Sequence, residues 1–455
     1  MSSSFNPLQS DGVSDSISTD PPVECDLPLV IRDITDVDEA TNPSVSLESD
    51  LNNASIFSCY CNLANTILGS GMLGLPYAFA HTGWVLGSLL IVLFGISSAF
   101  SLHTLALCAM TIPGPSSFYR VGHHAMPQLT LVIDFAVAIK CFGVATSYLI
   151  VIGDLMPDVM EHIGANAFWQ DRHVWVVIGF VLVAPLSCLR NLDSLKFTSF
   201  VSIVFVAFLT MLIVLYACDV PGLDPCADID ASDTCVGDKG NFSLTMQTLR
   251  VLSIFVFGFT CQQNIFPVCN ELRNRTPARV NIVIGGAIMT AISLYLIVAS
   301  FGYSTYGDEV ESDILVNYPE NYLTSTARLF VSLLVAFSYP LQAHPSRRCI
   351  LTLIAALDRG KEQPSIRVQS MRYVIVTIGF LGFSLILGLA VSDLGIILSL
   401  VGATGSTIVS YILPGFFYYL TFKHLEGPEW KRRLALAQGV LGLIIIPVCL
   451  TFIFV

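Results

Sequence analysis

From residue 55 onward the chain is an almost unbroken series of apolar runs of about 17–25 residues, the length an α-helix needs to cross a bilayer. The runs fall at roughly 56–80, 83–107, 130–155, 174–190, 196–217, 247–268, 280–303, 326–345, 371–390, 393–421 and 434–454, which makes eleven. Two are atypical: 174–190 is short, and 326–345 carries Pro340 and Pro345. In hydrocarbon every backbone polar group must be bonded internally, so only helices or closed barrels can span. The alternating ten-residue pattern of a barrel is absent, and an all-α integral membrane bundle is predicted. Composition agrees. Hydrophobic residues make up 54% and charged residues 12%, against about a quarter charged in an ordinary soluble protein. A coiled coil, a collagen-like fibre and a small disulfide scaffold are excluded. The net charge of −12 argues against a nucleic-acid partner.

Residues 1–54 differ from the rest, being rich in Ser, Asp, Pro and Asn with Arg32 as their only basic residue. They are expected to form a disordered cytosolic tail. They lack the basic and apolar regions of a signal peptide and the Arg-rich pattern of a mitochondrial presequence. Residues 55–455 form the membrane domain.

Basic residues collect on the cytosolic side of membrane proteins. With the N-terminus cytosolic, that side holds Arg32, Arg120, Arg190, Lys196, Arg273, Arg275, Arg279, Arg347, Arg348, Arg359, Lys361, Arg367, Arg372, Lys423, Lys431, Arg432 and Arg433, which is 17 of the 22. Arg172, Lys239, Arg250 and Arg328 fall opposite, and Lys140 lies within a span. One missed helix would scramble this division. The C-terminus is then luminal or extracellular. The far loops 218–246 and 304–325 are acidic, either as a funnel that concentrates cations or as ordinary solvated loops. Cys226 and Cys235 share the first of them and are a candidate disulfide, with Cys218 as a third possible partner. Of three glycosylation sequons, at Asn53, Asn241 and Asn274, only Asn241 lies on the glycosylated side in this orientation.

The most informative stretch is Cys61-Asn62-Leu63-Ala64-Asn65-Thr66-Ile67-Leu68-Gly69-Ser70-Gly71-Met72-Leu73-Gly74-Leu75-Pro76-Tyr77. Glycine costs about 1 kcal/mol in a helix interior, and two at mid-membrane suggest a broken helix. Freed N–H groups at the start of the second half-helix suit a carboxylate. Carbonyls ending the first half, with the amides of Asn62 and Asn65, suit a cation or ammonium. Together they suit an amino acid zwitterion. Close packing through small residues is the competing explanation. The sixth span is interrupted likewise, at Phe257-Gly258-Phe259-Thr260-Cys261-Gln262-Gln263-Asn264-Ile265-Phe266-Pro267. If spans 1–5 and 6–10 are two repeats, these interruptions correspond, and an odd number of spans inverts the second repeat. Paired interruptions point to a transporter's central site.

Lys140 is the one Lys or Arg deep within a span, where a charge is costly unless it faces protein or water. Asp134 and Asp154 share its run without standing four residues away. It is a candidate for proton coupling, for replacing a bound sodium, or for a structural role. His81, His103 and His344 lie near span ends and are expected to be hydrogen-bonded bundle residues. A His-Glu-x-x-His helix, paired protease aspartates, a P-loop and a GxGxxG turn are absent, so neither an enzyme nor an ATP-driven pump is indicated. No short selectivity segment indicates a channel.

Asn65 through Tyr77, followed by Thr82-Gly83-Trp84, resembles the first-helix signature of the amino acid/auxin permease family, which includes the sodium-coupled neutral amino acid transporters. Its vacuolar amino acid transporter branch is resembled by Lys140-Cys141-Phe142-Gly143, Ser147-Tyr148-Leu149 and Gly153-Asp154-Leu155-Met156-Pro157, and by Phe259 through Phe266 with Asn270-Glu271-Leu272. The resemblance covers about residues 55–455. It implies a five-plus-five inverted repeat with broken helices 1 and 6, an eleventh helix, and transport of small, neutral amino acids. Substrate contacts are then expected at Asn65, Thr66, Gly69, Ser70, Gly71, Thr260 and Gln262. Gln262 stands where animal members often have histidine. In the family the coupling ion lies between helices 1 and 8, which places a possible Na⁺ at Asn65 (with Asn62) and Ser338, while Lys140 offers H⁺ coupling instead. No cofactor, no resident metal and no oligomer are required; the expected partners are the amino acid and lipid. A vacuolar or lysosomal membrane is favoured, with the plasma membrane as alternative. An amino acid sensor on a carrier fold is the competing function.

Overall fold

The computed structural model describes residues 54–188, 195–218, 220–227, 234–358, 365–423 and 428–453. The expected tail at 1–54, apart from Ala54, lies outside them, as do Asn53 and the acidic residues Asp219, Asp228, Asp230 and Asp233.

The described chain is helical apart from one isolated β-bridge. Among the described residues nine helices are long and apolar enough to cross a membrane: Leu75–Thr111, Pro127–His162, Phe200–Ala217, Met246–Glu271, Pro277–Glu309, Tyr322–Leu357, Ile366–Ala390, Leu394–Thr421 and Glu429–Ile453. The other two expected spans differ for physical reasons. Span 4 is the shorter helix Arg172–Cys188. Span 1 is divided: Ile56–Ile67 ends, and helix resumes at Leu75 with Pro76 in its first turn, where its missing N–H costs nothing. The resumed helix runs into span 2 through a kink at Gly83, whose φ of +76° suits glycine. A Cβ there would lie 2.7 Å from the Asn241 carbonyl carbon. The far loop is thereby pinned on the kink, and Ser243 N–H donates to the Thr82 carbonyl at 2.9 Å.

Gly83 and the loops around 237–243 and 307–321 gather on one face, joined by Gly237 N–H to the Tyr306 carbonyl at 2.8 Å. On the opposite face Ala54 forms the β-bridge with Leu272, and Asn270 accepts from Ser116 N–H at 2.8 Å. This alternation agrees with the expected crossings. Cys226 and Cys235 are bonded, and Cys218 is free. Pro340 and Pro345 sit inside the continuous helix Tyr322–Leu357. Span 8 packs along span 3, which is among the most buried. Spans 9 and 11 expose Ile375, Ile378, Phe383, Leu443 and Ile444, apolar surface that suits lipid.

Candidate functional site

The first helix stops because Gly69 is extended, at φ −104° and ψ −153°, and a single short turn at Ser70–Met72 follows. Met246–Gly258 also stops in mid-span, where Phe259 is at φ −96° and ψ 10°, Thr260 N–H turns back to the Phe257 carbonyl and a short turn at Gln262–Asn264 precedes Ile265–Glu271. The two breaks meet. Asn264 Nδ2 donates to Thr66 Oγ1, and Thr66 Oγ1 donates to the Asn62 carbonyl at 2.8 Å. A Cβ on Gly71 would lie 2.9 Å from Phe257 Cδ1 and 3.1 Å from Gly258 Cα, so the breaks touch nearly backbone to backbone.

Between them is a cavity of about 20 Å³ lined by Thr66, Ile67, Gly69, Ser70, Gly71, Lys140, Val144, Tyr148, Phe257, Thr260 and Gln342. One water needs roughly 10–15 Å³, so the cavity as it stands has room for little more than a single water. The lining combines backbone of the first break, hydroxyls and one ammonium. Among the described residues no Asp or Glu lines it.

Lys140 is 1% exposed. Its neighbour across the bundle is span 10, where a Cβ on Gly405 would lie 2.7 Å from Lys140 Cβ. Asp154 pairs instead with Arg172, Nε to Oδ1 2.6 Å. Among the described residues no carboxylate lies within ion-pair distance of Lys140. It is one of the residues that line the cavity together with Gly69, Ser70 and Gly71.

Of the expected substrate residues, Thr66, Gly69, Ser70, Gly71 and Thr260 line this cavity. Ser70 Oγ also bonds Ser147 Oγ at 3.1 Å. Gln262 does not line it. Its Nε2 donates to Ser98 Oγ at 3.0 Å and its Oε1 accepts from Ser410 Oγ at 2.7 Å, so it ties spans 2, 6 and 10 together. Asn65 and Ser338 are buried at 5% and 6% and stand outside the lining, as does half-buried Asn62.

The sequence reading missed Tyr295. Its buried hydroxyl donates to the Ile67 carbonyl at 2.6 Å and the Gly258 carbonyl at 2.8 Å, the ends of both first half-helices. No local pattern marks it. Tyr148 and Val144 had a signal: with Lys140 they form an i, i+4, i+8 stripe on one helical face. Span 10 also holds two successive π-helical turns, Gly402–Ser406 and Ile408–Ile412, a departure frequent at functional sites.

Paired broken helices around an enclosed cavity are the arrangement found at the central site of inverted-repeat transporter folds. Solved structures share the fold. The chain matches MhsT in complex with L-phenylalanine with a TM-score of 0.52 at 12% identity, covering 87% of this chain and 98% of that one. It matches the inward-facing conformation of Mhp1 with a TM-score of 0.54 at 13% identity, covering 89% and 91%. The chain belongs to the transmembrane amino acid transporter family, whose sequence pattern matches residues 52–455. It is similar to vacuolar amino acid transporter 5 of Schizosaccharomyces pombe, 36% identical over 413 residues, 88% of this chain and 94% of that one. Vacuolar amino acid transporter 6 of Saccharomyces cerevisiae is 33% identical over 455 residues, 88% and 98%. The family is one of transporters rather than enzymes.

Proposed function

We propose that this protein moves small, neutral amino acids across the vacuolar or lysosomal membrane, coupled to protons. The observation that carries the reading is the convergence of both helix breaks and Lys140 on one cavity. Substrate carboxylate fits between the N-terminal end of the second half-helix and the Lys140 ammonium. The absence of a carboxylate from the lining favours a neutral over a basic side chain. A fixed cation in the cavity repels sodium, which favours H⁺ over Na⁺ at this position. The named relatives support amino acids as cargo and the vacuole as address.

The test is flux through the purified full-length protein in liposomes, with pH and Na⁺ gradients imposed separately and neutral amino acids screened as cargo. A pH gradient should drive uptake, and replacing Na⁺ by choline should change little. Sodium-dependent uptake that is lost in Ser338→Ala would assign coupling to Asn65 and Ser338 instead. Tight binding without flux would mark a sensor.

Orientation has its own test. Asn241 is exposed beside the Gly83 kink, and Asn274 is exposed on the opposite face. With a cytosolic N-terminus, a deglycosylation-sensitive mobility shift should vanish in Asn241→Gln and persist in Asn274→Gln. A glycan at Asn53 or Asn274 would invert the topology.

A further inference from the structure

The loop between spans 7 and 8 lies over the second half of span 1: Ile314 N–H reaches the Leu73 carbonyl at 3.4 Å, and a Cβ on Gly74 would lie 3.5 Å from the Ser312 carbonyl oxygen. This places the loop across the far-face route to the central cavity. At its root Asp313 is 3% exposed. One carboxylate oxygen accepts Leu315 N–H at 3.0 Å, and the other, fully enclosed, has no hydrogen-bond partner.

Charged groups close in from several elements. Span 3 presents Asp154 and Asp158, and span 8 presents Arg328. Arg328, 1% exposed, donates to the Leu315 and Tyr318 carbonyls of the same loop and pairs with Asp158 at 3.1 Å, while its Nη1 has no partner. Arg172, on span 4, pairs with Asp154 and reaches the Gly388 and Val391 carbonyls. Asp393 of span 10 acts on Asp154, and Glu161 of span 3 acts on Asp158. Glu311 in the loop and Arg250 of span 6 act on nearby Tyr77. The inner group is thus three carboxylates (Asp154, Asp158, Asp313) against two guanidiniums (Arg172, Arg328), one negative charge in excess.

We propose that Asp313 is a proton-binding site of the far-face gate: protonated, it makes the enclosed group neutral and holds the loop shut, and ionised, it leaves an uncompensated charge that water must reach, so the loop lifts. The geometry has a thermodynamic counterpart. Burial above all, with Asp154 and Asp158 adding to it, pushes the carboxyl up to about 7 despite the Leu315 N–H and Arg328. A lifted loop returns it to water and to an ordinary value near 3.9. The sign follows from linkage: the closed form binds the proton more tightly, so closure is favoured by acid, and the effect is lost as far-face pH rises through about 7. That the far face is an acidified lumen, and that the gate admits an amino acid, rests on the function proposed above.

The experiment has two arms on the full-length chain. The first is counterflow in liposomes with the same amino acid on both sides, which needs no driving gradient. In the wild type, exchange should slow by roughly tenfold per pH unit at most as far-face pH falls below the midpoint, the limit for one proton. Asp313→Asn, neutral at every pH, should give a slow, flat profile. An Asp313→Asn variant with the wild-type profile would overturn the proposal. The second arm uses the wild type alone: amide hydrogen exchange of residues 307–321, corrected for intrinsic rate, should show more protection at pH 6 than at pH 8. Equal protection would overturn the gate even if the variant does not fold. This arm reads the loop without flux, so loss of transport in the first arm and failure of the gate in the second are distinguishable.

Discussion

Gly71→Val is expected to reduce amino acid uptake to background while the protein still reaches its membrane. The Cβ alone would press on Phe257 at 2.9 Å and on the Gly258 backbone at 3.1 Å, and valine adds two methyls. Overpacking costs about 1–3 kcal/mol, and at about 1.4 kcal/mol per factor of ten in rate this predicts a loss of roughly 5- to 140-fold. The control is Gly285→Ala on span 7, where a Cβ meets nothing within 4 Å. Gly69→Ala separates site from packing: its Cβ meets only Tyr148, whose hydroxyl is at 3.3 Å and can swing away. Site backbone should make Gly69→Ala raise KM with little effect on protein level. Near-normal uptake by a correctly located Gly71→Val would return this stretch to ordinary helix packing.

Lys140→Met should abolish uptake driven by a pH gradient, while the far-face pH dependence assigned to Asp313 remains, and should weaken binding of the free carboxylate. Methionine nearly conserves the chain's volume, so the packing under Gly405 is kept and the charge alone is lost. A charge-assisted hydrogen bond contributes about 1.5–3 kcal/mol, which corresponds to roughly a 10–100-fold rise in KM. Wild type and variant should be compared at equal surface level, with pH gradients and with choline for Na⁺. An Lys140→Met protein that still accumulates amino acid on a pH gradient would move the coupling group elsewhere.

Much of the architecture was legible because lipid simplifies the alphabet. Run length alone places spans, and glycines at Gly69, Gly71 and Gly258 mark breaks because they interrupt otherwise good helices. Lys140 stood out for a similar reason: one ammonium in apolar sequence has few places to go. The partners across space were not legible. Tyr295 looks like any aromatic in an apolar run until the fold brings two carbonyl ends to its hydroxyl. Gln262 is expected as a substrate contact from the family resemblance, and the fold engages it with Ser98 and Ser410. Asp313 was hidden among loop acids, since sequence does not distinguish a solvated aspartate from an enclosed one. Span 1 merged into span 2 because Gly83 turns the chain without a loop.

The hydroxyl of Tyr295 carries a single hydrogen, yet two carbonyls draw on it. One atom of span 7 therefore fixes the ends of both first half-helices to a common point, and neither end can shift without changing the hydrogen bond available to the other.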